Sequence, residues 1–264
     1  MIEDMILDSH ESGVSNDKLI KKITNKTLNS NNISFDLIRN HGREENNVKN
    51  ELQWGRAILA TQEQLNQYLH TYGLMIKSQW INVLSSFELE DRNVQIIDYA
   101  CGQGLACSLF FDKFLQQEEL EVRQITLIEP SAIALRRAYA IVKCYNENHN
   151  INCINLKLDD LKDNYLRANG NSTYIHLFSN ILDINTFDIF KLFRKIIGKR
   201  GKHVFLAVSH DRDFDGGAPR LEELHSAFVY EKNAHFFKKV SSEIRRFNCE
   251  NGMPAICLNI QVEI

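Results

Sequence analysis

The chain has 264 residues, 44% of them hydrophobic and 25% charged, the balance of a soluble globular protein of one large domain with an appendage. A formal net charge of −3 gives no bulk attraction to nucleic acid or to an anionic membrane. No apolar run approaches the ~20 residues of a membrane helix, and the acidic N-terminus lacks the pattern of a signal peptide. Six cysteines, at 101, 107, 144, 153, 249 and 257, include no Cys-x-x-Cys pair. They read as buried thiols of a reducing cytoplasm, so neither disulfides nor a metal site is expected.

Residues 1 to about 50 are polar and rich in Asn, Lys, Ser and Glu, with one amphipathic piece at 19–28 that reads as a helix; the rest reads as loosely packed. From 50 to 87, Trp54, Ile58, Leu59, Leu65, Leu69, Tyr72, Met75, Trp80, Val83 and Leu84 recur at helical spacing. They predict two or more helices. Thr61 with Gln64 predicts a capping box, and Gly73 a kink or a helix end. Residues 1–88 are read as a helical cap on a second domain spanning 89–264.

From Val94 onward, strands and helices alternate. Strands are expected at 94–99, 124–128, 153–158, 173–178 and 203–209, and helices at 105–118, 131–147, 160–168 and 186–198. Ser131 suits a helix start, and Gly198 and Gly201 a helix end. Such alternation predicts a parallel sheet covered on both faces. Two further strands, 239–247 and 255–263, flank a short turn at 248–252 and predict an antiparallel hairpin, hence a mixed sheet. Residues 209–220 read as a loop.

The most informative stretch is Val94-Gln-Ile-Ile-Asp98-Tyr-Ala-Cys101-Gly102-Gln-Gly104, followed by Ile125-Thr-Leu-Ile-Glu129-Pro130. It has the order strand, glycine loop, helix, strand, acid. Gly102 and Gly104 carry no Cβ, so the backbone turns tightly and lies close to a ligand. An acid closing the second strand of a βαβ unit can accept hydrogen bonds from both hydroxyls of a ribose. Glu129 is therefore the ribose candidate; the bland alternative is an acid favoured by a helix start.

A parallel α/β sheet ending in an antiparallel hairpin resembles the S-adenosylmethionine-dependent methyltransferases with a Rossmann-like fold. Asp98-Tyr-Ala-Cys-Gly-Gln-Gly104 is similar to that family's first motif, and Ile125-Thr-Leu-Ile-Glu129-Pro130-Ser131 to its second. Ala100 stands where the family commonly has its first glycine. The resemblance implies S-adenosyl-L-methionine as cofactor, with Asp98 near its methionine end and Ala100, Gly102, Gly104, Glu129 and Pro130 around it. It places Asp159 and Asp160 beside the adenine, although either equally reads as a helix N-cap. Asn180 and Asp183 fall at the end of the fourth strand, where methyl transfer usually occurs; Asn180 reads equally as a turn residue. Tyr68 and Tyr72 are four apart on one helix face, a spacing that reads as core packing; in this family, however, a helix before the first strand often closes over the cofactor, which points to Tyr72, with Gly73, at the methionine carboxylate.

The loop after the fifth strand holds His210, Asp211, Asp213 and Asp215. His210 and Asp211 are the candidate general bases for a protonated acceptor; the bland alternative is a solvated loop. His176 reads as a satisfied core histidine, and Arg136-Arg137 and Lys238-Lys239 as solvated edges. No Asp/Asn-Pro-Pro-Tyr motif follows the fourth strand, so a small molecule or a protein is the expected acceptor rather than nucleic acid. Val94-Gln-Ile-Ile-Asp98 is also similar to the Val-His-Ile-Ile-Asp signature of GRAS proteins, which implies the alternative of a non-catalytic module of the same fold binding a nucleotide-like ligand or a protein.

Overall fold

Val94 through Tyr99 are buried without interruption, the mark of a strand covered on both faces. They form β1 (Asn93–Tyr99), the centre of a sheet in the computed structural model of the chain, which describes residues 17–45, 48–115, 120–148, 150–165, 172–214, 216–231 and 237–264. The other strands are β2 (Glu121–Ile128), β3 (Ile151–Ile154), β4 (Thr173–Ser179), β5 (Lys202–His210), β6 (Lys239–Asn248) and β7 (Pro254–Glu263). Their order is β3-β2-β1-β4-β5-β7-β6. Strands β1 to β5 run parallel, and β7 lies antiparallel between β5 and β6. This is the expected Rossmann-like methyltransferase fold, mostly parallel with a C-terminal antiparallel hairpin.

The chain winds outward from β1 on one side and restarts at β4 on the other. Tyr99 is in register with both Ile128 and Phe178. The carboxyl ends of β1, β2 and β4 are therefore level, and the crevice of an open α/β sheet belongs at this switch point.

Four helices follow the strands: α4 (Leu105–Phe114), α5 (Ala132–Tyr145), α6 (Ile189–Ile197) and α7 (Gly217–Glu231); α1 (Lys18–Thr24), α2 (Phe35–Arg39) and α3 (Gln62–Ser85) precede the sheet. Three elements depart from expectation. β3 stops at Ile154, and 3-10 turns at Leu158–Asp160 and Asp163–Tyr165 replace the helix read at 160–168, of which 166–168 lie outside the described residues. Asn155 explains the early exit, because its Nδ2 donates to the carbonyls of Glu129 and Pro130 and turns the chain across the end of β2. Helix α7 begins inside the segment read as a loop. Gly217 and Pro219 are loop signals, yet proline is tolerated in a first helical turn, and Leu221, Leu224 and Phe228 bury one face. Helix α3 runs unbroken through Gly73, where a Cβ would stand 3.1 Å from Arg39 Cγ. The glycine serves close approach rather than a kink. The Thr61–Gln64 capping box is present, and Ser131 caps α5 by accepting from the Ala134 N–H.

His176 is the satisfied core residue expected. The Lys199 carbonyl can only accept, so His203 Nε2 donates to it at 2.9 Å. His203 Nδ1 then accepts from His176 Nε2 at 3.0 Å, and His176 Nδ1 accepts from the Tyr99 hydroxyl at 3.1 Å. Burial pushes both imidazoles down, His203 to about 4, so the chain stays neutral.

Arg137 corrects the reading of a solvated edge. Its side chain is 0% exposed. On α5 it lies between Ala134, Ala138 and Ile141, all of which face the core. Its Nε donates to Asp17 Oδ2 at 2.8 Å, Nη1 to Gln103 Oε1 at 2.8 Å and Nη2 to Asn66 Oδ1 at 3.1 Å. Asp17 in turn caps α1 by accepting from the Leu19 and Ile20 N–H groups, and Gln103 Nε2 donates to the Leu65 carbonyl. Leu19, Leu28, Phe35 and Ile38 pack into the same core as Trp80 and Phe110. Removing one partner of a buried ion pair costs about 3–5 kcal/mol. Arg137→Ala should lower the melting temperature by about 10 °C, given roughly 2–4 °C per kcal/mol at this size. The double variant Asp17→Asn, Arg137→Met should recover part of that loss in the same thermal scan.

Candidate functional site

The turn after β1 needs left-handed backbone three times: φ is 51° at Ala100, 51° at Gly102 and 76° at Gly104. Cys101 N–H donates to the Ile128 carbonyl at 2.9 Å, which ties the turn to the end of β2. A Cβ on Gly102 would meet nothing within 4 Å, so this peptide borders open space. A Cβ on Gly104 would stand 3.2 Å from Ala138, so that glycine admits close packing of α4 against α5. Ala100 holds a conformation that costs an L-residue roughly 1–2 kcal/mol.

Glu129 is buried directly across from this turn. Its Oε2 accepts from the Gly102 N–H at 3.0 Å and its Oε1 from the Ser131 N–H at 2.8 Å. Burial raises its pKa and the two N–H groups oppose the rise. A carboxylate offers about four lone-pair sites, so each oxygen keeps one for a further donor. Pro130 connects Glu129 to the α5 cap, and its carbonyl is held by Asn155.

Asp98 is fully buried, and neither carboxylate oxygen finds a hydrogen-bond partner. Burial pushes its pKa up to about 7; the Cys107 N–H and thiol pull it back, but neither closes a hydrogen bond of regular geometry. Three other buried groups lack partners nearby in the fold: Asp183 Oδ1 past β4, Ser209 Oγ in β5 and Arg212 Nε past β5. Asp183 Oδ2 meanwhile pairs with Arg212 Nη2 at 2.9 Å. Buried polar groups are paired in roughly nine cases of ten. Four of the described buried groups without partners thus lie near the carboxyl ends of β1, β4 and β5; Arg39 Nε and Asn259 Oδ1 are the others.

Helix α3 forms the roof. Trp80 Nε1 donates to Ser179 Oγ at 2.9 Å. The side-chain amides of Gln79 and Asn180 bond reciprocally, at 3.1 and 2.7 Å. Asn180, at φ 54°, is thus a brace between roof and sheet. Tyr68 and Tyr72 pack against each other with ring centroids 4.9 Å apart and planes tilted by 55°. The Tyr68 hydroxyl is pushed up by burial, then by the negative charges of Tyr72, Glu129 and Asp183. Burial alone raises Tyr72. Tyrosines four apart on one helix face give no sequence basis for choosing between them.

The remaining candidates are dispersed. Asp159 and Asp160 are exposed, and Asp159 Oδ1 accepts from the Asp188 N–H at 3.3 Å, bracing the start of α6. His210 ends β5. Burial lowers its pKa most, Asp183 raises it and Arg212 lowers it, leaving a neutral imidazole at pH 7. Asp211 is turned to Arg246, which it meets at 3.0 Å and which also binds Glu222. Asp213 is exposed, and Asp215 lies outside the described residues. No cluster of three metal-binding side chains, and no helix long and apolar enough to cross a membrane, occurs among the described residues.

No protein-family model matches the chain, and no curated protein matches it. Among solved structures it is similar to the plantazolicin methyltransferase BpumL in complex with a desmethylPZN analog and SAH (TM-score 0.49, 11% identity, covering 92% of this chain and 98% of that one). A putative class I S-adenosylmethionine-dependent methyltransferase of Listeria monocytogenes gives a TM-score of 0.47 at 14% identity over 99% of this chain and 78% of that one. An rRNA methylase of Streptococcus thermophilus gives 0.43 at 12% over 72% and 96%. The fold assignment stands on the strand order and register given above.

Ala100→Gly should raise stability by up to about 1 kcal/mol, since glycine relieves the left-handed strain but enlarges the unfolded ensemble; chemical denaturation reads this. Asp98 should give a pH signature. Its folded pKa of about 7 lies above the unfolded value. Its stabilising share is thus present below about pH 4 and lost as pH rises through about 7. Asp98→Asn should flatten the decline in melting temperature between pH 5 and pH 8.

Proposed function

We propose that the chain is an S-adenosylmethionine-dependent methyltransferase acting on a small molecule or a protein. The observation that carries this reading is the Gly102–Glu129 pair. An open backbone turn and a buried carboxylate with spare lone pairs meet at 3.0 Å across the switch point of the sheet. Glu129 would hold the ribose hydroxyls. The turn at 100–104 would let backbone approach the amino-acid end. Asp98, whose oxygens lack partners, would face the cationic ammonium there.

The sulfonium supplies an already activated methyl, so the protein's task is chiefly to position the acceptor in line and to exclude water. Asp183 and Arg212 form a buried, charge-balanced pair with one acceptor and one donor still unassigned. That pair suits a neutral acceptor group carrying a donor and an acceptor side by side. His210, whose pKa burial lowers, would be the base that takes a proton from an acceptor that carries one. Asp211 serves the loop through Arg246. Tyr68 and α3 would shield the bound group from water.

Calorimetry should show S-adenosylhomocysteine binding to the wild type. Glu129→Ala should weaken it by at least about a hundredfold, the loss of two charge-assisted hydrogen bonds at roughly 1.5–3 kcal/mol each. S-adenosylhomocysteine should accumulate when the wild type meets S-adenosylmethionine and a protein-free or protein extract, and not with Glu129→Ala. Binding without turnover in every pool would instead favour the non-catalytic module. Turnover only on RNA would overturn the acceptor class.

A further inference from the structure

One feature outside this site is built at evident cost. The 3-10 segment Lys49–Gly55 ends in three consecutive left-handed residues, Gln53 at φ 47°, Trp54 at φ 60° and Gly55 at φ 87°. Left-handed backbone costs a non-glycine residue roughly 1–2 kcal/mol, so two in succession form a local reservoir of strain. The strain leaves Trp54 92% exposed, the most exposed large apolar side chain among those described. Ile58 beside it is also exposed, at 51%.

The segment is not slack. Leu52 and Leu59, on either side of Trp54, are buried in a small cluster with Leu65 and Ala134. Gln64 Nε2 donates to Glu51 at 2.8 Å, Ala57 N–H donates to the Leu52 carbonyl, and Ser131 Oγ donates to the Leu59 carbonyl. These anchors set the turn over the start of α5, two residues from Glu129. Gly55 rests on the roof tyrosines: a Cβ there would stand 3.7 Å from the Tyr72 ring and 3.8 Å from that of Tyr68. Trp54 is therefore held beside the start of α5 and the roof tyrosines, on the side of the carboxylate assigned to the ribose.

From this placement we propose that Trp54 is a ligand-binding residue that folds over the adenosyl group and stacks its indole on it. The inference rests on the cofactor reading above and adds a binding residue to it. A flat, neutral π-face is what an indole recognises, and stacking of a base on an aromatic side chain needs no hydrogen-bond code. Strain and exposure in the free protein then have one origin: the indole is held ready for a partner that completes its burial.

Only two tryptophans are present, and they are opposites, since Trp80 is 0% exposed. Acrylamide quenching of tryptophan emission with and without S-adenosylhomocysteine, alongside calorimetry on the same samples, tests the inference. Quenching of the wild type should fall, and its emission shift to shorter wavelength, when the ligand binds; in Trp54→Phe the ligand should change neither. Trp54→Ala should weaken S-adenosylhomocysteine by about tenfold, in the range measured for base–aromatic stacking. Trp54→Gly should weaken the ligand similarly while raising the melting temperature, because glycine releases the strain. That opposite movement is not what a merely structural residue would show. Calorimetric binding with unchanged wild-type quenching, or with full affinity in Trp54→Ala, overturns this inference and leaves the cofactor reading standing. No calorimetric binding to the wild type overturns both.

Discussion

A single buried guanidinium joins the three parts of this protein that must agree. Arg137 is anchored in α5 behind the glycine turn, and reaches Asp17 at the start of the cap, Asn66 in the roof helix and Gln103 within the turn itself. A buried cation is tolerated only when its donors are satisfied, so each of these contacts constrains the others. The cap cannot leave without stranding a charge. The glycine turn cannot shift without breaking its Gln103 contact. This is why the N-terminal residues, polar by composition, are bound into the core that carries the sheet.

The carboxyl ends of the strands show the reverse situation. There the buried polar groups of Asp98, Asp183, Ser209 and Arg212 are left incomplete, while elsewhere in the fold even a histidine pair is satisfied through to a backbone carbonyl. Arg39 Nε and Asn259 Oδ1 are left incomplete as well, but singly, whereas these four lie near the carboxyl ends of β1, β4 and β5. Asp98 carries the largest consequence. Among the described residues no cation lowers its pKa, so burial pushes it up to about 7, and an approaching ammonium would ionise it.

What was legible in the chain was local. The glycine turn, Glu129, the Ser131 cap and the Thr61 capping box are each written within a few residues, because turn, cap and strand-end chemistry act over that range. The sheet order followed from alternation and from the final hairpin. What was not legible was long-range. Asp17 and Arg137 are 120 residues apart, and Gln79 and Asn180 are 101 apart. A charge beside another charge in an otherwise apolar helix gives no sign of which one faces inward. Helix α7 was hidden because Gly217 and Pro219 carry loop chemistry at a helix start. Asp159 and Asp211 sit where acids are expected, yet local partners, the Asp188 N–H and Arg246, engage them.

In the proposed function two stretches of backbone, 100–104 and 129–131, face a common nucleoside. Amide hydrogen exchange read by mass spectrometry, with and without saturating S-adenosylhomocysteine, addresses it without knowledge of the methyl acceptor. Slowed exchange confined chiefly to peptides spanning these two stretches is the result expected. Bound ligand that leaves both unprotected, or protects only surfaces at the opposite end of the sheet, would contradict it.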